Sequence, residues 1–541
     1  MLSPFTPHLG TNYAPSELEK LQIKQLLEKP REELQSIDYE IEGLRQRLAA
    51  LVHQREERAQ FIEDHSTLLG PIRGLPNELL RTIFVHCLPE PSPFLSESHD
   101  IDEGHMSAAE APLLLTFVCQ LWRRAALSFP EIWERALIPV PSPSQRSEED
   151  WALAAQNLSE LTRLWLSRAR NRPITISISS SWRPHPGEGI INLLSSVAQY
   201  SSQWKGLRVQ AYSDVTDGLL SLPSSSVPDL QYLDISDSGA GAFAQSDKEG
   251  LLGGPSLRGL RYRGFRLLHV AETALQWSQL TDLHIASVRD LADIQVWVIL
   301  KRCPCLERCH ARIASVGFYE PVAAPRPQLP CLKLLHIRHT TVTPLTLFFT
   351  SLHLPALADL TLYTPDSGES LSAAIGESAP TLRRLAVWTN HTSTETMLEN
   401  LGLLSQLEFL ELGYLPYRGP PCELLSDTFL AALTPSSDED RTTSPNTPSA
   451  TPPYLCPNLQ EISLHVATAP RITDTVIFEF IKNRRGLRSP TLRSVKVIHP
   501  WCDAELDVVD ELDKQRVDIR HVKVNLQYRE RERDGSSVLD L

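Results

Sequence analysis

From residue 204 onward one short apolar phrase keeps returning, and it restricts the folds open to this chain more than any other feature. An apolar residue is followed by a second three places on and a third two places after that. The copies are Trp204, Leu207, Val209; Leu230, Leu233, Ile235; Leu257, Leu260, Tyr262; Leu280, Leu283, Ile285; Leu332, Leu335, Ile337; Leu357, Leu360, Leu362; Leu382, Leu385, Val387; Leu407, Leu410, Leu412; Leu459, Ile462, Leu464; and Leu492, Val495, Val497, with a degenerate copy at Leu306, Cys309 and Ala311. Up to Leu407 the starting positions lie 23 to 27 residues apart, and the longer step from Leu407 to Leu459 is about two periods. A step this constant is the mark of a repeat architecture, in which each unit is too small to bury its own apolar face and must stack on its neighbours.

Alternating apolar positions within each phrase predict a short strand with one face inward. Stretches such as Leu291 to Arg302 and Thr394 to Leu404 carry apolar residues at helical spacing, so the unit reads as strand, turn, helix, turn. Pro228, Pro330, Pro355 and Pro380, each two places before the phrase, end the preceding helix and extend the chain into the strand. The period and phrase resemble leucine-rich repeats, which implies a curved solenoid with a parallel sheet on one side. The Asn or Cys that usually follows the strand fits only at Asn390, with Ser238, Val288, Thr340 or Pro365 elsewhere, so the repeats are irregular. The competing reading is an ordinary α/β domain with coincidental spacing.

Toward the N-terminus, residues 15–68 are rich in Glu, Gln, Leu and Arg, and Leu34, Ile37, Ile41, Leu44, Leu48 and Leu51 follow one another by threes and fours. This is a heptad stripe. It ends where Arg55 and Arg58 take the next two seam positions, and Ile62 resumes it. Two readings stay open: an amphipathic helix folded against its own chain, which we favour, and a self-associating coiled coil giving a homodimer through 34–62.

Residues 69–138 are compact and apolar, interrupted at about 89–107 by a polar loop. Pro76 suits a helix first turn, and Leu79, Leu80, Ile83, Phe84 and Cys87 then advance by helical steps. A second helix is expected from about Ala111 to Leu127, with Leu114, Val118, Leu121, Trp122 and Ala125 on its apolar face. Two or three short helices cannot enclose so many large side chains, so some are expected to meet another polypeptide or the repeats.

The residues resemble an F-box. Leu75-Pro76-Asn77-Glu78-Leu79-Leu80, Ile83-Phe84 and Cys87-Leu88 match the family opening; Leu113-Leu114, Val118-Cys119-Gln120-Leu121-Trp122-Arg123, Ala126-Leu127, Pro130 and Ile132-Trp133 match its second half. The departure is the interrupting loop, roughly twenty residues longer than a compact F-box needs. With the preceding helix, the arrangement is similar to the large F-box-like families of mushroom-forming fungi. The resemblance implies a Skp1-binding face at Leu75, Pro76, Leu79, Leu80, Ile83 and Leu114, and F-box packing at Phe84, Val118, Trp122 and Trp133.

The expected fold class is therefore α+β and multi-domain. A coiled-coil-like helix (15–68) precedes an all-α F-box (69–138), a linker (139–150), an α/β leucine-rich-repeat-like solenoid (151–528) with a disordered insertion at 434–453, and a charged tail (529–541).

Composition sets the remaining limits. With 52 Lys+Arg against 66 Asp+Glu the net charge is −14, which argues against bulk binding to nucleic acid or anionic membrane. The nine cysteines are irregularly spaced and read as reduced thiols of a cytoplasmic or nuclear protein. Cys303, Cys305, Cys309, His310 and Cys331 have metal-ligand side chains but not the paired spacing of a zinc site, so no metal and no cofactor is expected. Neither a phosphate loop, a nucleophile elbow nor a His-Glu-x-x-His motif occurs, and no catalytic role is expected. The resemblance implies the substrate-recognition adaptor of a Skp1–cullin–F-box ubiquitin ligase, acting in ubiquitin-dependent degradation, with the repeats binding an unknown target protein. The alternative is a non-ligase scaffold using the coiled coil and the repeats.

Overall fold

The computed structural model describes residues 3–66, 69–89, 106–140, 147–180, 188–211, 218–237, 250–264, 275–287, 291–314, 316–317, 326–415, 424–435, 454–466, 472–487, 490–499 and 504–528. Nearly all of the expected loop at 89–107 and insertion at 434–453, and the whole tail 529–541, lie outside the described residues. The helices are α1 (Glu17–Ser66), α2 (Asn77–His86), α3 (Leu115–Val118), α4 (Gln120–Ser128), α5 (Glu148–Arg168), α6 (Glu188–Ala198), α7 (Asp293–Leu300), α8 (Thr346–Thr350), α9 (Glu369–Ser378), α10 (Thr394–Gly402), α11 (Asp427–Ala432), α12 (Asp474–Arg485) and α13 (Val508–Lys514). Contacts group the chain into two units, Met1–Thr82 and Ile83–Leu541.

In the first unit, α1 begins at a reciprocal cap: the Ser16 N–H and hydroxyl donate to Glu19 Oε2 (2.8 and 2.7 Å), and the Glu19 N–H donates to the Ser16 Oγ (3.5 Å). Ser16 holds the Glu19 carboxyl below its usual range. The helix runs unbroken through Pro30 and buries none of its residues. The heptad positions lie open to solvent, from 40% exposure at Ile41 to 63% at Leu48.

The second unit is built on one fourteen-stranded sheet. Its strands are β1 (Arg135–Pro139), β2 (Ile174–Ser179), β3 (Trp204–Ala211), β4 (Tyr232–Asp237), β5 (Gly259–Gly264), β6 (Asp282–Ser287), β7 (Arg308–Ile313), β8 (Leu334–His339), β9 (Asp359–Tyr363), β10 (Arg384–Trp388), β11 (Phe409–Gly413), β12 (Glu461–His465), β13 (Ser494–His499) and β14 (Lys523–Tyr528). They stand in sequence order. Every pairing is parallel; for example, Leu360, Leu385, Leu410, Ile462 and Val495 are successive register partners. The second and third residues of every phrase therefore form two columns, and all phrase residues are buried, none more than 4% exposed.

Backbone bonds repeat with the same period. The residue after the phrase-opening Leu donates its N–H to its counterpart one repeat earlier: Ala358 to Lys333 O, Arg383 to Ala358 O, Glu408 to Arg383 O and Gln460 to Glu408 O, at 2.7–2.9 Å. Asn390, the one residue matching the expected post-strand position, is buried, donates through Nδ2 to Leu415 O (3.2 Å) and accepts from Leu415 N–H (3.0 Å). Carboxylates at the first helical residue also join neighbouring repeats. Asp293 accepts from Gly317 N–H, Asp427 from Thr473 N–H and Asp474 from Glu505 and Leu506 N–H, each at 2.7–2.9 Å, and a negative charge there also suits the helix dipole.

The unit of strand, turn, helix, turn is not uniform. The stretches expected to be helical become α7 and α10, but the connections leading to β4, β5 and β6 carry 3₁₀ turns at Ser224–Ser226, Leu251–Gly253 and Trp277–Gln279. The sheet also begins earlier than expected. Strand β1 lies inside the segment read as an all-α F-box and pairs with β2 across the supposed linker at 139–150. Trp133, Ala136 and Ile138 share the spacing of the repeat phrase, and all three are buried.

Candidate functional sites

Helix α2 presents two faces. Leu80 and Phe84, one turn apart, are fully buried; on the other side Leu79 is 52% exposed, Pro76 and Val85 are exposed, and Ile83 is partly covered, as is Leu75 before the helix. Leu114 is 45% exposed. Of the six residues expected to form a Skp1-binding face, Leu80 is fully buried, as is Phe84 one turn on.

The expected second helix is broken in two. Cys119 is extended (φ −161°, ψ 172°), ends α3, and accepts at Sγ from the Trp122 N–H at the start of α4. That break leaves Val118 at the end of a single turn with 53% exposure, beside Phe117 at 60%, so Val118 is not the packing residue it was expected to be. Phe84, Trp122 and Trp133 are buried. The Phe84 ring lies 5.0 Å from Trp122 and 6.0 Å from Phe129. Trp133 donates from its indole N–H to Ala126 O (2.9 Å), meets Trp165 of α5 edge-on at 4.9 Å, and carries the Arg168 guanidinium 4.5 Å above its ring.

The other candidate is the outer face of the sheet. With the phrase residues turned inward, the intervening residues of successive strands line up outward. One such column reads Arg208, Asp234, Arg261, His284, His310, His336, Thr361, Ala386, Glu411, Ser463, Lys496 and Asn525. At its start Arg208 Nε donates to Asp234 Oδ2 at 3.0 Å, and Arg261 Nη1 stands 3.9 Å from the same oxygen. Burial pushes the Asp234 carboxyl up, and the guanidinium groups of Arg261, Arg208 and Arg263 oppose it.

From β6 onward the column becomes a stack of rings. His284 and His310 are 5.2 Å apart and 8° from parallel; His310 and His336 are 5.0 Å apart. The stack then shifts two residues along the strands: His336 meets Tyr363 at 5.2 Å, Tyr363 meets Trp388 at 5.7 Å and 7°, and Trp388 meets His465 at 4.6 Å. These spacings follow the roughly 4.8 Å between neighbouring strands. Trp388 reaches across β11 because Gly413 has no side chain; a Cβ there would lie 2.5 Å from the indole. Arg338 sits 5.7 Å from the Tyr363 ring, and Glu411 accepts from or faces His465 Nε2 at 3.0 Å. The outward position two residues past the first column holds Arg263, Arg312, Arg338, Tyr363 and Trp388 and no carboxylate on any strand. Arg208, Asp234, Arg261 and His284 are buried, so the accessible part, from β7 to β10, is a strip of partly exposed rings with the exposed Arg312 and Arg338 on a chain of net charge −14. Flat rings and guanidinium groups in a row give a surface for stacking, cation–π contact and pairing with carboxylates.

The sequence pattern pointed to the repeats, on their sheet face or flanking loops, for target recognition and did not single out this strip. The signal was present, since His284, His310 and His336 recur at the 26-residue step, each one place after the second residue of a phrase. Of the cysteines considered as ligands, Cys303 and Cys309 are buried core residues while Cys305 and Cys331 are exposed; burial pushes the Cys303 thiol up to about 12. Among the described residues no group of His, Cys, Asp and Glu could hold a metal ion, and no helix is long and apolar enough to cross a membrane. No protein-family model and no curated protein matches the chain.

Proposed function

We propose that this chain is a substrate-recognition adaptor of a Skp1–cullin–F-box type ubiquitin ligase in the cytosol or nucleus. Its α2 region docks on a Skp1-like subunit, the sheet's outer face holds a target protein, and ubiquitin is transferred by other subunits. The reading rests on Leu79 of the Leu-Pro-Asn-Glu-Leu-Leu motif, a large side chain left half in solvent while its neighbour Leu80 is closed off. Covering such a leucine contributes about 1.5 to 3 kcal/mol, so several are needed to outweigh the cost of association. Ile83 and Leu114 are the further candidates, and Leu80 contributes to the fold alone.

Leu79→Asp is expected to abolish co-purification with Skp1 and cullin while leaving the circular dichroism spectrum and melting temperature near those of the parent. Undiminished capture of Skp1 by that variant would refute the docking site. For target recognition, Arg312→Glu with Arg338→Glu reverses two charges of the strip without touching α2. Skp1 binding is expected to persist while the set of co-purified targets shrinks; an unchanged set would move recognition elsewhere. The second reading, a scaffold outside any ligase, is favoured by one observation, the exposed heptad stripe of α1, and predicts a self-associating protein without cullin.

A further inference from the structure

Helix α1 carries a seam of exposed apolar residues, and the residues beside it specify what covers it. Leu34, Ile41 and Leu48 occupy one seam position of successive heptads and Ile37, Leu44 and Leu51 the other, all 40–63% exposed on one continuous helix. An isolated helix gains nothing from such a stripe; a second helix laid along it removes the stripe from water.

From the charges flanking that seam we propose that α1 pairs with α1 of a second copy of this chain in antiparallel orientation, centred between Ile41 and Leu44. In this register Leu34 faces Leu51 of the second copy, Ile37 faces Leu48, and Ile41 faces Leu44. The six apolar residues are thereby matched completely with themselves. The flanking positions are matched too: Glu40 stands opposite Arg47 of the second copy and Asp38 opposite Arg45, each twice by symmetry. Arg55 and Arg58, which interrupt the stripe, come against Pro30 and Leu27 of the other copy, where their stems can pack and their charges reach water.

A parallel pair in register is poorer at each of these points. It sets Arg55 and Arg58 against their own copies across the seam, puts Glu33 beside Asp38, and leaves Arg47 beside Val52; its one favourable flanking pair is Glu40 with Arg45. Charge complementarity therefore selects the orientation as well as the partner. In the antiparallel pair the two Ser66 ends lie about 70 Å apart along the rod, at about 1.5 Å per residue, so the segments that follow leave from opposite ends. The inference does not rest on the ligase reading. A monomeric full-length chain that still captures Skp1 would overturn the dimer alone.

Glu40 and Arg47 give a clean test, because the positions three and four residues away from each within α1 hold no charged residue. In the full-length protein, Arg47→Glu is expected to weaken dimerisation at least about tenfold by sedimentation equilibrium, and the Glu40→Arg, Arg47→Glu double variant to restore it. Orientation is read from cysteines: Ile37→Cys with Leu48→Cys gives a disulfide-linked dimer under mild oxidation, mapped by peptide analysis between positions 37 and 48. Ile37→Cys alone gives none beyond the parent background. A monomeric parent, an unaffected Arg47→Glu variant, or efficient linking of Ile37→Cys to itself overturns the proposal.

Discussion

His339 shows how a single buried side chain sets a pH limit on the fold. It ends β8 with its ring 2% exposed, Nε2 2.8 Å from the Thr341 hydroxyl and Nδ1 3.4 Å from that of Thr364. Thr364 in turn donates to Asp366 Oδ2 at 2.8 Å, and Gly368 N–H donates to Oδ1 at 2.8 Å, so the ring abuts a polar chain buried between repeats. Burial lowers the imidazole to about 4 against the opposing pull of Asp366. An unfolded histidine takes its proton near pH 6.5. The unfolded chain therefore binds more protons between those values. The stabilising contribution is complete above about pH 6.5 and is lost as pH falls through about 4, at most about 3 kcal/mol in all. His339→Gln should flatten that part of the stability curve in urea titrations between pH 4 and 7; an unchanged slope would assign the acid sensitivity to other groups.

At the scale of elements, α12 ties two segments of the chain together. Its Arg484 is 1% exposed and spends every guanidinium nitrogen on carbonyls from two sides: Nε and Nη2 donate to Leu433 O at 3.0 and 2.7 Å, Nη2 also to Leu455 O at 2.7 Å, and Nη1 to Cys456 O at 2.8 Å. Leu433 follows α11 and Leu455 precedes β12, so one side chain binds both flanks of the polar insertion between repeats. Burial lowers its pKa, and the four hydrogen bonds keep the charge in place. Arg484→Ala is expected to lose about 3 kcal/mol or more in denaturant unfolding, because several buried carbonyls are left without donors. Arg484→Lys, with one nitrogen and a rounder charge, should recover only part of that.

Across the second unit, each strand is hydrogen-bonded only to its neighbours in the sheet, so stability is largely a chain of local interfaces. Leu410→Ala, in the middle of a fully buried column, is expected to cost about 2 to 5 kcal/mol. By hydrogen exchange its effect should concentrate in β10, β11 and β12 and fade toward β2 and β3; a uniform rise along the sheet would indicate a single cooperative block. The repeat phrase made most of this sheet legible before any coordinates, because burial at the second and third phrase positions is a property of spacing. It failed for β2 and β14 because Pro173 and His521 stand where the opening apolar residue belongs. It failed for β1 because Trp133 reads equally as the last residue of an F-box and the first of a repeat. The division between interface and packing residues was only partly legible: Leu80 turned inward and Val118 outward, since helical spacing defines a stripe but not which way it faces.

What the sequence determined by itself is periodic: an apolar residue every second place in a strand, every third or fourth in a helix, and the same phrase about every 25 residues. Such patterns depend only on local geometry and on the need to remove apolar surface from water. What the tertiary structure decided is relational. It aligned His284, His310, His336, Tyr363, Trp388 and His465, residues scattered over nearly two hundred positions, into one stack. It also brought Leu433 and Leu455 to one guanidinium. Those outcomes depend on register and on which surfaces meet, and neither is set until the strands stack.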